Sequence, residues 1–188
     1  LVGLEELTSV LKDDEVLLSY SLKEDSSMVM VMTNEQTIRY TLAPASRIQS
    51  NIDELYNTIQ NESEVTDFKE ASQEAFALLL EPFYKEIADK RRLIIVNPVL
   101  LSIPFESVLT HTSAANEGKQ EFQNLSYLAK KHAISYHYSA SIWYHNRQSS
   151  NQSDATPSLL AIAPFASPTV KNSTDTRTEN TPLPQSGI

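Results

Sequence analysis

The sequence predicts an α/β fold, a mixed sheet with helices packed outside it. Three observations predict this class. A dense apolar run at residues 93–96 stands between Arg91-Arg92 and Asn97-Pro98, which is typical of a strand buried on both faces. Three strand-like segments joined by polar turns come before it and indicate an antiparallel meander. Two longer segments between the meander and this run have apolar residues at helical spacing.

Residues 1–42 are predicted to form one helix and three strands. Apolar residues at positions 4, 7, 10 and 11 indicate a short amphipathic helix, which ends at Asp13-Asp14. Segments 15–22 and 27–33 are rich in strand formers and flank a polar turn at 23–26, so we expect a hairpin. A third strand, 37–42, follows the turn at Asn34-Glu35. The meander should have one buried face.

Two helices are predicted next. Pro44 opens the first, which closes at 61–63 and has an apolar stripe at Ile48, Ile52, Leu55, Tyr56 and Ile59. The second covers 67–89 and has an apolar inner side formed by Phe68, Ala71, Ala75, Phe76, Leu79, Leu80, Phe83 and Ile87. Pro82 lies inside it, so we expect a kink or break about one turn earlier. Further on, Pro104 suits the first position of a short helix.

The C-terminal half alternates short elements with polar segments. Residues 110–124, which include Gly118, are predicted to form an exposed loop. A strand at 133–136 follows, and Ser139 can cap a helix over 140–145. Residues 148–157 have a linker composition, 158–164 form another apolar strand, and 166–188 have the composition of disorder. The parallel strands of the sheet are expected near 93–97, 133–137 and 159–163.

Composition excludes several classes of function. The chain has 188 residues and a formal charge of −9, and residues 51–90 hold ten acids against three lysines, which argues against a nucleic-acid partner. No apolar run approaches the roughly 20 residues of a membrane span. There is no cysteine, so disulfides, thiolate zinc sites and a cysteine nucleophile within the chain are excluded. Three glycines, Gly3, Gly118 and Gly187, are too few and too scattered for a P-loop, a dinucleotide fingerprint or a nucleophile elbow.

Five segments carry a resemblance to a known family, and their order along the chain is the order in that family. In RRLIIVNPVLLSIPFESVLT (91–110), the strand, Leu100, the IPFE core and Leu109 are similar to the "IVPDGxLxxLPFEAL" signature of CHAT domains. EVLLSYSL followed by VMVMT resembles the first hairpin of that family. LSYLAKKHAISYHYSAS resembles its "yLaerYaIsYaPSas" segment, PSLLAIAPF the strand that begins the second half, and Leu183-Pro184 the "LPgse.Ev" that follows. The chain departs from the family at Val96-Asn97-Pro98, where Pro, Asp and Gly are usual, and at His137-Tyr138, where Ala-Pro is common.

CHAT domains are caspase- and separase-like cysteine peptidase domains, often found downstream of TPR repeats. The resemblance implies a caspase-like sheet, with residues 1–147 as the non-catalytic pseudo-caspase half and 148–157 as a linker. Residues 158–188 would hold the first strand of the catalytic half and a flexible tail. The catalytic histidine and cysteine of the family lie in "tHG" and "lsAC.tg" segments downstream of "LPgse", and no residue of this chain matches them.

The resemblance therefore implies that this chain is itself not an enzyme, although its parent protein resembles a cysteine peptidase. We expect no catalytic, cofactor-binding or metal-binding residue in it. Its implied partners are the catalytic half of the same protein, upstream TPR-type repeats and other protein partners, but no nucleic acid and no membrane. The implied compartment is the cytoplasm, and the implied role is to scaffold and regulate the catalytic half.

Several side chains are candidates for sites in their own right. His132 and His137 are five residues apart and fall on opposite faces of a strand, while His111 and His145 belong to other segments, so a histidine metal site is disfavoured. The acidic run 13–15 suits a turn better than a cation site, because no repeated D-x-D spacing accompanies it. Five aromatic residues are interpreted as core and inter-half contacts and not as a base-stacking platform: Tyr127, Tyr136, Tyr138, Trp143 and Tyr144.

Two other functions stay open from the sequence. The chain could be an autonomous interaction module whose acidic helices and aromatic segment bind a protein partner. It could also be a small α/β hydrolase that uses Ser102, Ser107 or Ser139 with a histidine, although the missing nucleophile elbow counts against this alternative.

Overall fold

The computed structural model of the chain describes residues 2–96, 103–110 and 122–150. The strands of these segments form one five-stranded sheet, and in chain order they are β1 (Glu15–Ser21), β2 (Ser27–Met32), β3 (Thr37–Leu42), β4 (Arg92–Val96) and β5 (Ala133–His137). Their order across the sheet is β3-β2-β1-β4-β5. β2 pairs antiparallel with β1 and β3, whereas β4 pairs parallel with β1 and β5. An α/β fold with a mixed sheet led by a meander is therefore confirmed.

Helices cover both faces of this sheet. The α-helices of the described residues are α1 (Leu4–Ser9), α2 (Ala45–Gln60), α3 (Val65–Leu79), α4 (Tyr84–Ile87) and α5 (Ala140–Ser150). Short 3-10 turns lie at Glu81–Phe83, Phe105–Ser107, Phe122–Asn124 and Leu128–Lys130. The larger core lies between the sheet and α2, α3 and α4, and a smaller core lies under α1 and α5 on the other face. No helix among the described residues combines the length and the apolar character needed to cross a membrane.

β4 is buried on both faces, as its apolar run predicts. Leu93 and Ile95 belong to the larger core, while Ile94 and Val96 belong to the smaller one. β1 lies at the centre of the sheet and has the same property, because Val16 and Leu18 face the larger core and Leu17 faces the smaller one. The expected single buried face is therefore wrong for β1, since α1 and α5 cover its second face. It holds for the edge strand β3, in which exposed and half-buried residues alternate.

Pro82 divides the second predicted helix where the sequence indicates. α3 ends at Leu79, Pro82 lies in the 3-10 turn that follows, and α4 begins at Tyr84. A proline has no N–H to donate, and its ring clashes with the carbonyl group four residues earlier, so α3 cannot continue through it. Phe83 and Ile87 are nevertheless fully buried, because the turn directs α4 back onto the sheet.

Two boundaries differ from those predicted. α5 continues to Ser150, so residues 148–150 are helical and do not belong to the predicted linker at 148–157. Its last turns are fixed by contacts that composition does not reveal, such as the hydrogen bond from Gln148 Nε2 to the Tyr144 hydroxyl (3.2 Å). Pro104 precedes the first residue of its 3-10 turn, Phe105, instead of occupying it. The rest of the linker, most of the loop 110–124, the strand 158–164 and the tail 166–188 lie outside the described residues.

Candidate functional site

Two of the segments that carry the CHAT resemblance meet in the fold. The Phe105 side chain is fully buried, and its ring centroid lies 6.0 Å from that of Tyr20 and 6.3 Å from that of Tyr136. The Tyr136 hydroxyl donates to Glu106 Oε2 at 2.6 Å and accepts from the Phe105 backbone N–H at 3.2 Å. Burial, together with the hydrogen bond to Glu106, raises the pKa of Tyr136. The turn after β4 is therefore tied to β5 by a hydroxyl that stays protonated.

Ser72 of α3 holds the same turn from the helical layer. Its hydroxyl is buried, donates to the Ser107 carbonyl oxygen and accepts from the Leu109 N–H, each at 2.9 Å. These two backbone groups would otherwise be left without partners inside the core. Ser72 was not singled out in the sequence. The available signal was a lone hydroxyl on the apolar face of α3, between Phe68 and Ala75.

A cavity of about 790 Å³ opens at the carboxyl ends of the parallel strands β1 and β4. In α/β sheets this is the edge at which ligands usually bind. The first residues of α2 and α5 complete its wall, and its described lining consists of Ser19, Tyr20, Ser21, Leu22, Glu24, Ala45, Ser46, Gln49, Val96, Tyr138, Ser139 and Ala140. This lining offers hydroxyl and amide groups and one carboxylate but no lysine or arginine, so it suits neutral polar groups better than anions.

The serines weighed as nucleophiles are engaged in backbone contacts. Ser139 caps α5, as predicted, because its Oγ accepts from the Ile142 N–H at 3.1 Å. Ser107 Oγ donates to the Pro104 carbonyl oxygen at 2.8 Å. Ser102 lies outside the described residues. Neither described serine forms a hydrogen bond with a histidine in the part of the chain that the structure describes, so the pair needed for acyl transfer is not assembled there.

The histidines occupy separate environments. His132 is buried, and its Nδ1 lies 2.6 Å from the Lys90 carbonyl oxygen, so Nδ1 carries the proton and donates it. Its Nε2 is buried without a partner, and burial lowers the pKa of this imidazole. Burial also lowers the pKa of the half-buried His137. His145 is exposed and packs edge-on against Tyr144, and His111 lies outside the described residues. Across residues 2–96, 103–110 and 122–150, no three His, Cys, Asp or Glu side chains are grouped as metal ligands.

The acidic run 13–15 has a structural role in joining elements. Asp13 Oδ1 accepts from Asn34 Nδ2 at 2.7 Å, and the Asp14 carbonyl oxygen accepts from the N–H groups of Arg91 and Arg92. Glu15 is buried, and its two carboxylate oxygens meet the guanidinium group of Arg147 at 2.7 and 3.2 Å. The run therefore joins β1 to β4 through the Asp14 carbonyl oxygen and to α5 through the Glu15 carboxylate.

Four of the five aromatic residues take part in packing. Tyr127 and Tyr136 pack against the larger core, while Trp143 and Tyr144 belong to the smaller one. Tyr138 differs, because it is 67% exposed at the mouth of the carboxyl-end cavity.

β5 forms one edge of the described sheet and has hydrogen-bonding groups on its outer side. It pairs with β4 alone among the described strands. The Ala133 N–H donates to the Arg91 carbonyl oxygen at 2.8 Å, so Ala133 points its backbone groups towards β4. Because backbone groups alternate along a strand, those of Ile134 and Tyr136 point away from β4. Such an edge can accept one further parallel strand.

No protein-family model matches this chain, and neither a curated protein nor a solved structure does. Its function is therefore inferred from its own residues.

Proposed function

We propose that this chain is the N-terminal, non-catalytic part of a CHAT-family caspase-like cysteine peptidase, and that it scaffolds and regulates the catalytic half. The observation that carries the proposal is the hydrogen-bonded contact of Tyr136 with Phe105 and Glu106. Two segments that separately resemble the family in the sequence also contact each other here, as two parts of one structural motif would.

In this proposal, the sheet continues from β5 into the catalytic half. The outward-facing N–H groups of Ile134 and Tyr136 are the donors for a strand of the downstream polypeptide. A parallel strand added there would extend the β1-β4-β5 series. The catalytic half would thus be positioned by backbone hydrogen bonds.

The catalytic chemistry is assigned to the downstream half. A peptidase of this family attacks its substrate with a thiolate, and this chain has no cysteine. The same resemblance supports upstream TPR-type repeats as a second docking partner and the cytoplasm as the compartment. The net charge of −9 supports protein partners over nucleic acid, and we propose no membrane partner.

The first test measures peptide cleavage and association. We expect the purified chain to cleave no member of a fluorogenic peptide library. The downstream polypeptide of the parent protein, added in trans, should form a stoichiometric complex with it on size exclusion. Turnover by that complex should be abolished by alkylation of the downstream cysteine. Turnover by the chain alone, or failure of the two parts to associate, would contradict the proposal.

The second test blocks the outer edge of β5. Ile134→Pro removes the outward N–H group, and Ile134→Ala removes the side chain but keeps that N–H. If the sheet continues through β5, the proline variant loses association with the downstream part while the alanine variant retains it. Circular dichroism on both variants shows whether each is folded. Equal association by two folded variants would rule out β5 as the joining strand.

A further inference from the structure

An apolar groove lies between the end of α2, the start of α3 and the 3-10 turn Phe122–Asn124, and its volume is about 610 Å³. Phe68 is buried at its base, with ring centroids 5.5 Å from Phe122 and 6.2 Å from Tyr127. Ile59 and Phe122 form its walls, and each of these two side chains is 43% exposed. The groove therefore presents a continuous aromatic and aliphatic surface to solvent, on the opposite side of the sheet from α1 and α5.

Glu62 lines this groove and has an unusual backbone conformation. Its φ is +49°, in the left-handed region, and it is the one non-glycine residue with positive φ in the described part of the chain. α2 ends there in a Schellman turn, in which the Ser63 N–H donates to the Thr58 carbonyl oxygen at 3.0 Å. Glycine or asparagine usually occupies this position, because a side chain with a Cβ atom is strained there. A strained glutamate is explained if its carboxylate is needed at the groove.

Glu62 supplies the carboxylate that lines the groove. Glu64 and Asp67, which follow it at the start of α3, are also exposed, and none of the three forms an ion pair with a lysine or arginine of the described residues. Lys130 lies over the ring of Tyr127, 5.5 Å from its centroid, and its Nζ donates to the carbonyl oxygens of Gln123 and Leu125. An apolar surface beside exposed carboxylates is complementary to a segment that is both apolar and basic.

We propose that this groove binds a partner protein through an amphipathic basic segment, which places a large apolar side chain over Phe68 and a lysine or arginine beside Glu62. The adjoining residues of the chain itself do not supply such a group, because segment 111–121 has no apolar side chain larger than alanine. This proposal does not rest on the CHAT assignment, since none of its observations involves the outer edge of β5 or the contacts of Tyr136.

The probe is a fluorescein-labelled peptide of about 14 residues, with leucine and lysine at helical spacing, and its binding to the full chain is followed by anisotropy. A peptide with glutamate in place of every lysine is its control. We expect saturable binding of the lysine peptide that weakens as salt is raised, and no binding of the glutamate peptide. Chemical-shift changes on binding should be concentrated at Ile59, Phe68 and Phe122.

Three variants separate local recognition from net charge. Glu62→Lys should weaken binding by about tenfold or more, whereas Glu5→Lys makes the same change of net charge on α1 and should have little effect. Glu62→Asn removes the carboxylate but accepts left-handed backbone, so it should weaken binding and raise Tm by about 2–4 °C. Weaker peptide binding together with a higher Tm in Glu62→Asn would indicate that Glu62 serves recognition at a cost in stability.

Three results would overturn the proposal. Equal losses of peptide affinity in Glu62→Lys and Glu5→Lys would mean that binding depends only on the net charge of the protein. Equal binding of the glutamate peptide would mean that the carboxylates of Glu62 and its acidic neighbours play no part in recognition. Absence of binding, or shift changes confined to other surfaces, would mean that the groove is not a docking site. Loss of association at the β5 edge, in contrast, would leave the groove unaffected.

Discussion

Tyr136 donates a hydrogen bond of 2.6 Å to Glu106, and this contact joins β5 to the turn that follows β4. The same hydroxyl accepts from the Phe105 N–H, so it satisfies a backbone group next to a fully buried ring. Burial and Glu106 both raise the pKa of Tyr136, which favours the protonated hydroxyl as the donor to the carboxylate. This side chain therefore adds a link between β5 and the turn to the backbone pairing of β5 with β4.

Tyr136→Phe should destabilise the chain by about 1–2 kcal/mol, because it removes the hydrogen bond to the Glu106 carboxylate and one of the two acceptors of the Phe105 N–H, which keeps the Ile103 carbonyl oxygen at 2.9 Å. Tm in differential scanning calorimetry should fall by about 2–8 °C. Tyr138→Phe is the matched control, since Tyr138 is 67% exposed, and it should leave Tm unchanged. A Tyr136→Phe variant as stable as the wild type would mean that the hydroxyl does not hold the turn.

Phe105→Ala should cost about 3–5 kcal/mol, the range for truncation of a buried aromatic side chain. The Phe105 ring is fully buried and contacts Tyr20 and Tyr136, so its loss leaves a cavity where the turn meets the sheet. Domains of this size have only about 5–15 kcal/mol of stability, so the variant should be poorly soluble or melt far lower. Phe122→Ala should be milder, because Phe122 is 43% exposed. Similar urea midpoints for wild type and Phe105→Ala would contradict the anchoring role.

Local signals in the sequence predicted the elements well. Three features depend only on residues a few positions apart and can therefore be predicted from local sequence. They are the apolar run of β4, the break at Pro82 and the cap at Ser139. The central place of β1 depends on parallel pairing with β4, a contact between distant segments that no local pattern specifies. The last turns of α5 were missed for the same reason, because Arg147 is polar by composition and is held by Glu15, 132 residues earlier.

No sequence pattern predicted the groove. Ile59 is the last residue of the apolar stripe predicted for α2, yet it is 43% exposed because α2 ends one residue later. Nothing in the sequence distinguishes Glu62 from the other acids of segment 51–90. Its left-handed backbone, which singles it out, is a property of the turn between two helices and not of the residue.

Glu15→Gln should destabilise the chain by about 2–4 kcal/mol, because it leaves the guanidinium group of Arg147 without its charge partner. Glu15 and Arg147 side chains are only 5% and 19% exposed, so water cannot fully replace the lost carboxylate. The control is Glu74→Gln, which breaks an exposed pair with Arg47 and should cost about 0–1 kcal/mol. The comparison is made by urea denaturation at pH 7. Equal effects of the two substitutions would show that the Glu15 pair is not sheltered from solvent.

Acidification below pH 6.5 should destabilise the fold through His132. Burial lowers the pKa of this imidazole in the folded chain, while the unfolded chain keeps a value of about 6.5. Between these two pKa values the unfolded state binds more protons, so the free energy of unfolding falls as the pH drops through that window and changes no further below the folded pKa. Above pH 6.5 the contribution of His132 is fully present. Urea denaturation at a series of pH values from 7.5 to 5 measures this slope.

His132→Asn is the variant that isolates this effect. Asparagine has no proton to gain in this range, and its amide can still donate to the Lys90 carbonyl oxygen that Nδ1 of His132 contacts at 2.6 Å. Its absolute stability is expected to be lower because the imidazole ring is lost, so the quantity to compare is the slope with pH. That slope should be shallower than in the wild type. Burial lowers the pKa of His137 as well. His137→Asn should therefore also reduce the slope of the free energy of unfolding with pH, independently of His132. An unchanged slope in both variants would assign the acid sensitivity to carboxylates instead.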